Sequence, residues 1–149
     1  MNNTIFPVKD KLELSQCMQL AFERSLSRRG EAKLISAMGH SPALFDWYMD
    51  DFYEKLFYKG SVPVIFKELG RLRLSEVHGC RSCNRGNRLD ADAAGLSSAK
   101  ISHIADAENS VFDSVDKAVI SLADLMSLHA RRGRLSQALY DALAVHFDD

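Results

Sequence analysis

The stretch Glu68-Leu69-Gly70-Arg71-Leu72-Arg73-Leu74-Ser75-Glu76-Val77-His78-Gly79-Cys80-Arg81-Ser82-Cys83-Asn84-Arg85-Gly86-Asn87 decides how this chain reads. A helix over about Val62 to Val77 is predicted, broken by Gly79. A second runs from Cys80 to Ala94 and is closed by Gly95. The Cys-x-x-Cys pair therefore opens a helix. Unpaired amides at that end favour a thiolate, and the second thiol, one turn away, can close a disulfide. Glu68 lies twelve residues before Cys80. With Leu72, Ser75 and Gly79 it follows steps of four, three and four, so its carboxylate shares a face with the loop into the cysteines. A carboxylate beside a thiol is the pairing that proton relay to sulfur requires.

Outward from this centre, nearly every segment has helical spacing. Leu14 to about Leu26 sets Cys17, Met18, Ala21, Phe22 and Leu26 near one face, before the basic end Ser27-Arg28-Arg29-Gly30. Ser41-Pro42 signals a helix start. The helix it opens, to about Tyr58, carries Phe45, Trp47, Tyr48, Phe52, Tyr53 and Phe57. Apolar groups on all sides suit a core helix or an oligomer contact. Lys59-Gly60-Ser61 stops it. A short helix is predicted from Ser97 or Ser98 to about Ala107, another through Val115, Ala118, Val119, Leu122, Leu125 and Met126, and a last one through Leu135 to Leu143. Arg131-Arg132-Gly133 is a turn. No stretch alternates with period two, so the fold class is all-α.

The chain has 149 residues and a formal net charge of −1, which gives no pull toward nucleic acid or anionic lipid. The Arg131–Arg134 turn superficially resembles a helix-turn-helix, but the helix after it offers Ser136, Gln137 and Asp141 rather than a basic face. No apolar run approaches the roughly 20 residues of a membrane span, and Met1 to Pro7 lacks the pattern of a signal peptide. A cytoplasmic protein is expected, without nucleic-acid or membrane partners. Three cysteines make no disulfide framework, and a close pair in a reducing compartment is catalytic or metal-binding. Cys80, Cys83 and His78 supply at most three local ligands with no second pair, so no metal is expected. Cys17 is read as buried packing, His146 as packed or interfacial, and His40 as turn surface; His103 and His129 receive no role.

The spaced elements together resemble the carboxymuconolactone decarboxylase-like family, in particular its alkylhydroperoxidase D branch. The resemblance rests on Glu68, Leu72-Arg73-Leu74-Ser75, Gly79-Cys80-Arg81-Ser82-Cys83, Ala93-Ala94 and Gly95-Leu96-Ser97. It spans roughly residues 36–147, which implies a single domain over 1–149 with residues 1–35 as a helical extension. The implied chemistry is peroxiredoxin-type reduction of hydroperoxides. Cys83 would attack the peroxide, Cys80 would resolve the sulfenate, and a dithiol protein would reduce the resulting disulfide. The only redox group implied is that Cys80–Cys83 disulfide, with no added cofactor. A homo-oligomer, a trimer or hexamer, is also implied.

One position departs from the pattern. Asn87 stands where peroxidase members carry the histidine that, with the glutamate, forms the relay. An amide cannot titrate near neutral pH. The peroxidase half of the chemistry should therefore suffer more than dithiol exchange. His78, about 80° round an ideal helix from Glu68, is the nearest substitute, though a solvent-facing or structural role is the commoner reading. Arg81 and Arg85 could instead lower a thiolate pKa electrostatically. The alternatives are a non-peroxidatic scaffold or dithiol–disulfide exchanger of the same family. A cofactor-free lactone decarboxylase fits less well, since decarboxylase members characteristically lack the cysteine pair.

Overall fold

In the computed structural model, which describes residues 6–128 and 133–147, every regular element is helical. The all-α expectation holds. The chain falls into two units, Met1–Gly60 and Ser61–Asp149, parted at the Lys59-Gly60-Ser61 stop. The Arg131-Arg132 part of the expected turn, His129 and the segment Met1 to Ile5 lie outside the described residues.

In the first unit a 3-10 turn, Lys11–Glu13, precedes α1 (Gln16–Arg29), α2 (Lys33–Met38) and α3 (Pro42–Asp46). The short α2 escaped the sequence reading, which found no periodic run there. The core joins Leu14, Met18, Ile35 and Phe45, with Ala21, Phe22, Met38 and Met49 against it. Cys17 is exposed, its Sγ 3.1 Å from Ser15 Oγ. The expected burial fails because the inward face of α1 centres on Met18, about 100° round the helix.

α3 passes directly into a π-helix, Trp47–Tyr58, where an ordinary helix was expected. The winding has a sequence cause. Aromatic pairs recur every five residues: Trp47-Tyr48, Phe52-Tyr53, Phe57-Tyr58. Residues five apart diverge by about 140° on an α-helix; bonding from i to i+5 brings them into line. The ring centroids of Tyr48 and Tyr53 are 4.9 Å apart, those of Tyr53 and Tyr58 5.8 Å, and those of Trp47 and Phe52 6.1 Å. These separations suit attractive ring pairs. Tyr48 Oη also donates to Tyr53 Oη at 3.2 Å. The rings thus pack along their own helix, while Trp47 stays 52% exposed.

The second unit contains α4 (Val64–Val77), α5 (Arg81–Ala93), α6 (Ser98–Ser102), α7 (Ser114–Leu128) and α8 (Gln137–Ala144). α4 packs on both α5 and α7. The core comprises Leu69, Leu72, Ala91, Leu96, Ile104, Phe112 and Ile120. Phe147 closes edge-to-face on Phe66 at 5.3 Å, whereas His146 is exposed rather than packed. α6 stops short of Ala107. The carbonyls of Ile104 and Ala105 accept from Arg73 Nη1 at 2.8 and 2.9 Å. Arg73 also holds Asp124 of α7 through two bonds, 2.6 and 2.9 Å. The arginine of the Leu-Arg-x-Ser segment is thus a clamp between helices.

Both ends of α5 are set by glycines in the left-handed region, Gly79 at φ 62° and Gly95 at φ 92°. Cys80 N–H donates to Ser75 O at 3.1 Å and Gly79 N–H to Glu76 O at 3.0 Å. Leu96 and Gly95 repeat the pattern onto Ala91 and Asp92. Each pair of bonds satisfies carbonyls that a helix end leaves open. No atom stands within 4 Å of where a Cβ on Gly79 would lie. Gly79→Ala should therefore carry only the conformational penalty, ~1–2 kcal/mol in chemical denaturation.

The start of α7 is closed by reciprocal bonds: Asp116 N–H to Asp113 Oδ1 at 3.0 Å, and Asp113 N–H to Asp116 Oδ2 at 3.1 Å. Lys100 of α6 pairs with the buried Asp116 carboxylate. Burial works against the Lys100 ammonium, but Asp116 outweighs it and holds the group above its ordinary 10.5. The Asp116 amide, opposed by burial and helped by Lys100, holds the Asp113 carboxyl below 3.8. Folding thus favours ionised Asp113. That contribution is present above pH 3.8 and is lost as pH falls through the lower folded value. Asn caps a helix as well as Asp. Asp113→Asn should cost only a few tenths of a kcal/mol at neutral pH, the side chain being mostly exposed, and should flatten the acid limb of stability against pH.

Candidate functional site

The Gly79 turn delivers Cys80 to the N-cap of α5, where its Sγ accepts from Cys83 N–H at 3.2 Å. Cys80 and Cys83 form a disulfide, with Cα atoms 5.2 Å apart. Cys83 is exposed and Cys80 half-buried, so Cys83 is the more accessible residue of the pair. His78, Arg81 and Arg85 are likewise exposed. His78 caps α4, and among the described residues no hydrogen bond joins it to either sulfur.

Beneath the disulfide, a polar seam runs between α4 and α5. Its α5 side is Asn84, Asn87 and Asp90, three residues apart and on one face. Nearest the sulfurs, Asn84 accepts from Ser75 Oγ at 2.8 Å and donates to Glu76 Oε2 at 3.0 Å. Glu76 Oε2 also meets Arg88 at 3.4 Å. One turn further, Asn87 Nδ2 donates to the Arg71 carbonyl at 3.2 Å. Deepest, Arg71 Nη2 lies 2.7 Å from Glu68 Oε2 and 2.8 Å from Asp90 Oδ2.

Glu68 is 1% exposed and Asp90 9%. Arg71 is thus shared by two buried carboxylates, which would be costlier to hold inside the fold without it. Glu68 is level with Asp90, seven residues beyond Cys83, or roughly 10 Å along the axis of α5. It faces α5 through Arg71. The acid that reaches the cysteine end is Glu76, through Asn84. Sequence reasoning overlooked Arg71, Glu76, Asn84 and Arg88; the Asn84-x-x-Asn87-x-x-Asp90 recurrence on a packed helix was the available signal.

The arrangement offers an accessible disulfide at a helix N-terminus, with a hydrogen-bonded seam that fixes α5 against α4. Among the described residues no group of three His, Cys, Asp or Glu side chains is placed to hold a metal ion, and no helix is long and apolar enough to cross a membrane. No protein-family model, curated protein or solved structure matches the chain.

Proposed function

We propose that this chain is a thiol redox protein of the carboxymuconolactone decarboxylase-like family, similar to alkylhydroperoxidase D, which reduces hydroperoxides through Cys83 and Cys80. The observation that carries the reading is the exposed Cys80–Cys83 disulfide opening α5. In its reduced form, the Cys83 thiolate attacks the terminal peroxide oxygen. The O–O bond breaks, the alkoxide leaves as an alcohol after taking a proton, and Cys83 becomes a sulfenic acid. The Cys80 thiolate then attacks that sulfur, hydroxide leaves as water, and the disulfide forms. A dithiol protein returns two electrons and two protons. The reading places the protein in the cytoplasm as a homo-oligomer.

A second reading, a dithiol–disulfide exchanger that does not meet peroxide, is favoured by Asn87 and Glu68. The Asn87 amide is engaged with the Arg71 carbonyl, and Glu68 with the Arg71 guanidinium. Neither arrangement supplies a free proton donor for the leaving alkoxide. One equivalent of an organic hydroperoxide added to the reduced protein separates the two. Disulfide formation far faster than a free cysteine reacts supports the peroxidase. Reaction at the free-cysteine rate, with brisk exchange against small disulfides, leaves the exchanger.

A further inference from the structure

Between Glu76 and Asp90 the chain carries Arg81, Arg85 and Arg88 and no carboxylate. The first turn of α5 holds no acidic residue, and the positive end of the helix dipole lies at the same end. The bordering acids are already engaged. Glu76 meets Asn84 and Arg88, and Asp90 meets Arg71. Arg81 and Arg85 are exposed, four apart on one face, at the end of the helix where Cys83 is open. Arg81 and Arg85 each stand two residues from Cys83, so positive charge gathers around the exposed cysteine in a chain whose net charge is −1.

Resting on the redox reading above, we propose that the disulfide or dithiol with which Cys83 exchanges is anionic, bearing carboxylates beside its own sulfur. Arg81 and Arg85 select it by charge. In the exchange, the Cys83 thiolate attacks one sulfur of the incoming disulfide and displaces the first thiolate. Cys80 then attacks Cys83 Sγ and displaces the second. The two cysteine protons leave with the two released thiols, so the protein is oxidised by two electrons and the substrate disulfide reduced by two. An anionic dithiol reductant traverses the same encounter in reverse.

The test uses the reduced 149-residue chain and three small disulfides: 3,3′-dithiodipropionate (anionic), 2-hydroxyethyl disulfide (neutral) and cystamine (cationic). Each rate is divided by that disulfide's rate with 2-mercaptoethanol. A change in cysteine pKa moves all three rates together, so the ratio of anionic to cationic isolates the field. At about 10 mM salt, where charges act over about 30 Å, the ratio should exceed ~5. Near 1 M salt it should fall toward unity. Arg81→Gln/Arg85→Gln should abolish the preference, and Arg81→Glu/Arg85→Glu should invert it, with melting behaviour unchanged. A ratio within twofold of unity at low salt, or one that survives both double variants, overturns the proposal. Failure to react with all three disulfides overturns the redox reading itself.

Discussion

Replacing Arg71 by Met should lower the stability of the second unit by about 3–5 kcal/mol, the largest loss expected of any substitution considered. The guanidinium is the shared partner of Glu68 and Asp90, both nearly or fully buried. Its removal leaves two carboxylates close together in a poorly solvated seam. Taking the charges away as well should rescue the fold. The triple variant Glu68→Gln/Arg71→Met/Asp90→Asn is expected to recover most of the loss, because neutral amides are less costly to bury than unpaired ions. Urea unfolding of the three proteins measures this. If the single variant loses less than ~1 kcal/mol, the ion pairs are not holding α4 to α5.

The second large effect concerns reactivity. Cys83→Ser should remove hydroperoxide consumption by at least ~1000-fold, since a hydroxyl is no nucleophile at neutral pH without a dedicated base. Cys80→Ser should permit a single turnover that ends in a sulfenic acid on Cys83, trapped by dimedone and located by tryptic mass spectrometry. The order of attack is the one proposed above, and Cys83 is the more exposed of the two residues. Asn87→His, which restores a titratable ring at the seam's middle step, should speed the peroxide reaction by roughly 100-fold. Sulfenate found on Cys80 instead would reverse the assigned roles. No acceleration by Asn87→His would favour the exchanger.

Much of the fold was legible because its signals are local. Gly79 and Gly95 bracket α5 at the positions where the chain needs left-handed backbone, and Ser41-Pro42 opens α3 as its residue types require. Cys80 and Cys83 were legible for the same reason: three residues on one helical turn can bond wherever that helix ends up. The winding of Trp47–Tyr58 was also written locally, as a period of five. It was overlooked because apolar residues on every side of an assumed 3.6-residue spiral conceal that period.

By itself, then, the sequence determined an all-helical chain, most of its helix boundaries, and a cysteine pair at a helix start placed to close a disulfide. Tertiary structure alone decided which side chains meet. Arg71 and Asp90 are 19 residues apart, and Arg73 and Asp124 are 51 apart. Their pairing depends on the register of α4 against α5 and α7, which no residue can signal to its own neighbours. Glu68 meets Arg71 three residues on in its own helix, while the register brings Asp90 to the same guanidinium and fixes Asn87 on a backbone carbonyl. It leaves Asn84 and Glu76 nearest the cysteines. Helix propensity and capping act over about four residues, whereas the energy of a buried charge is set by whatever the folded packing places within a few ångströms of it.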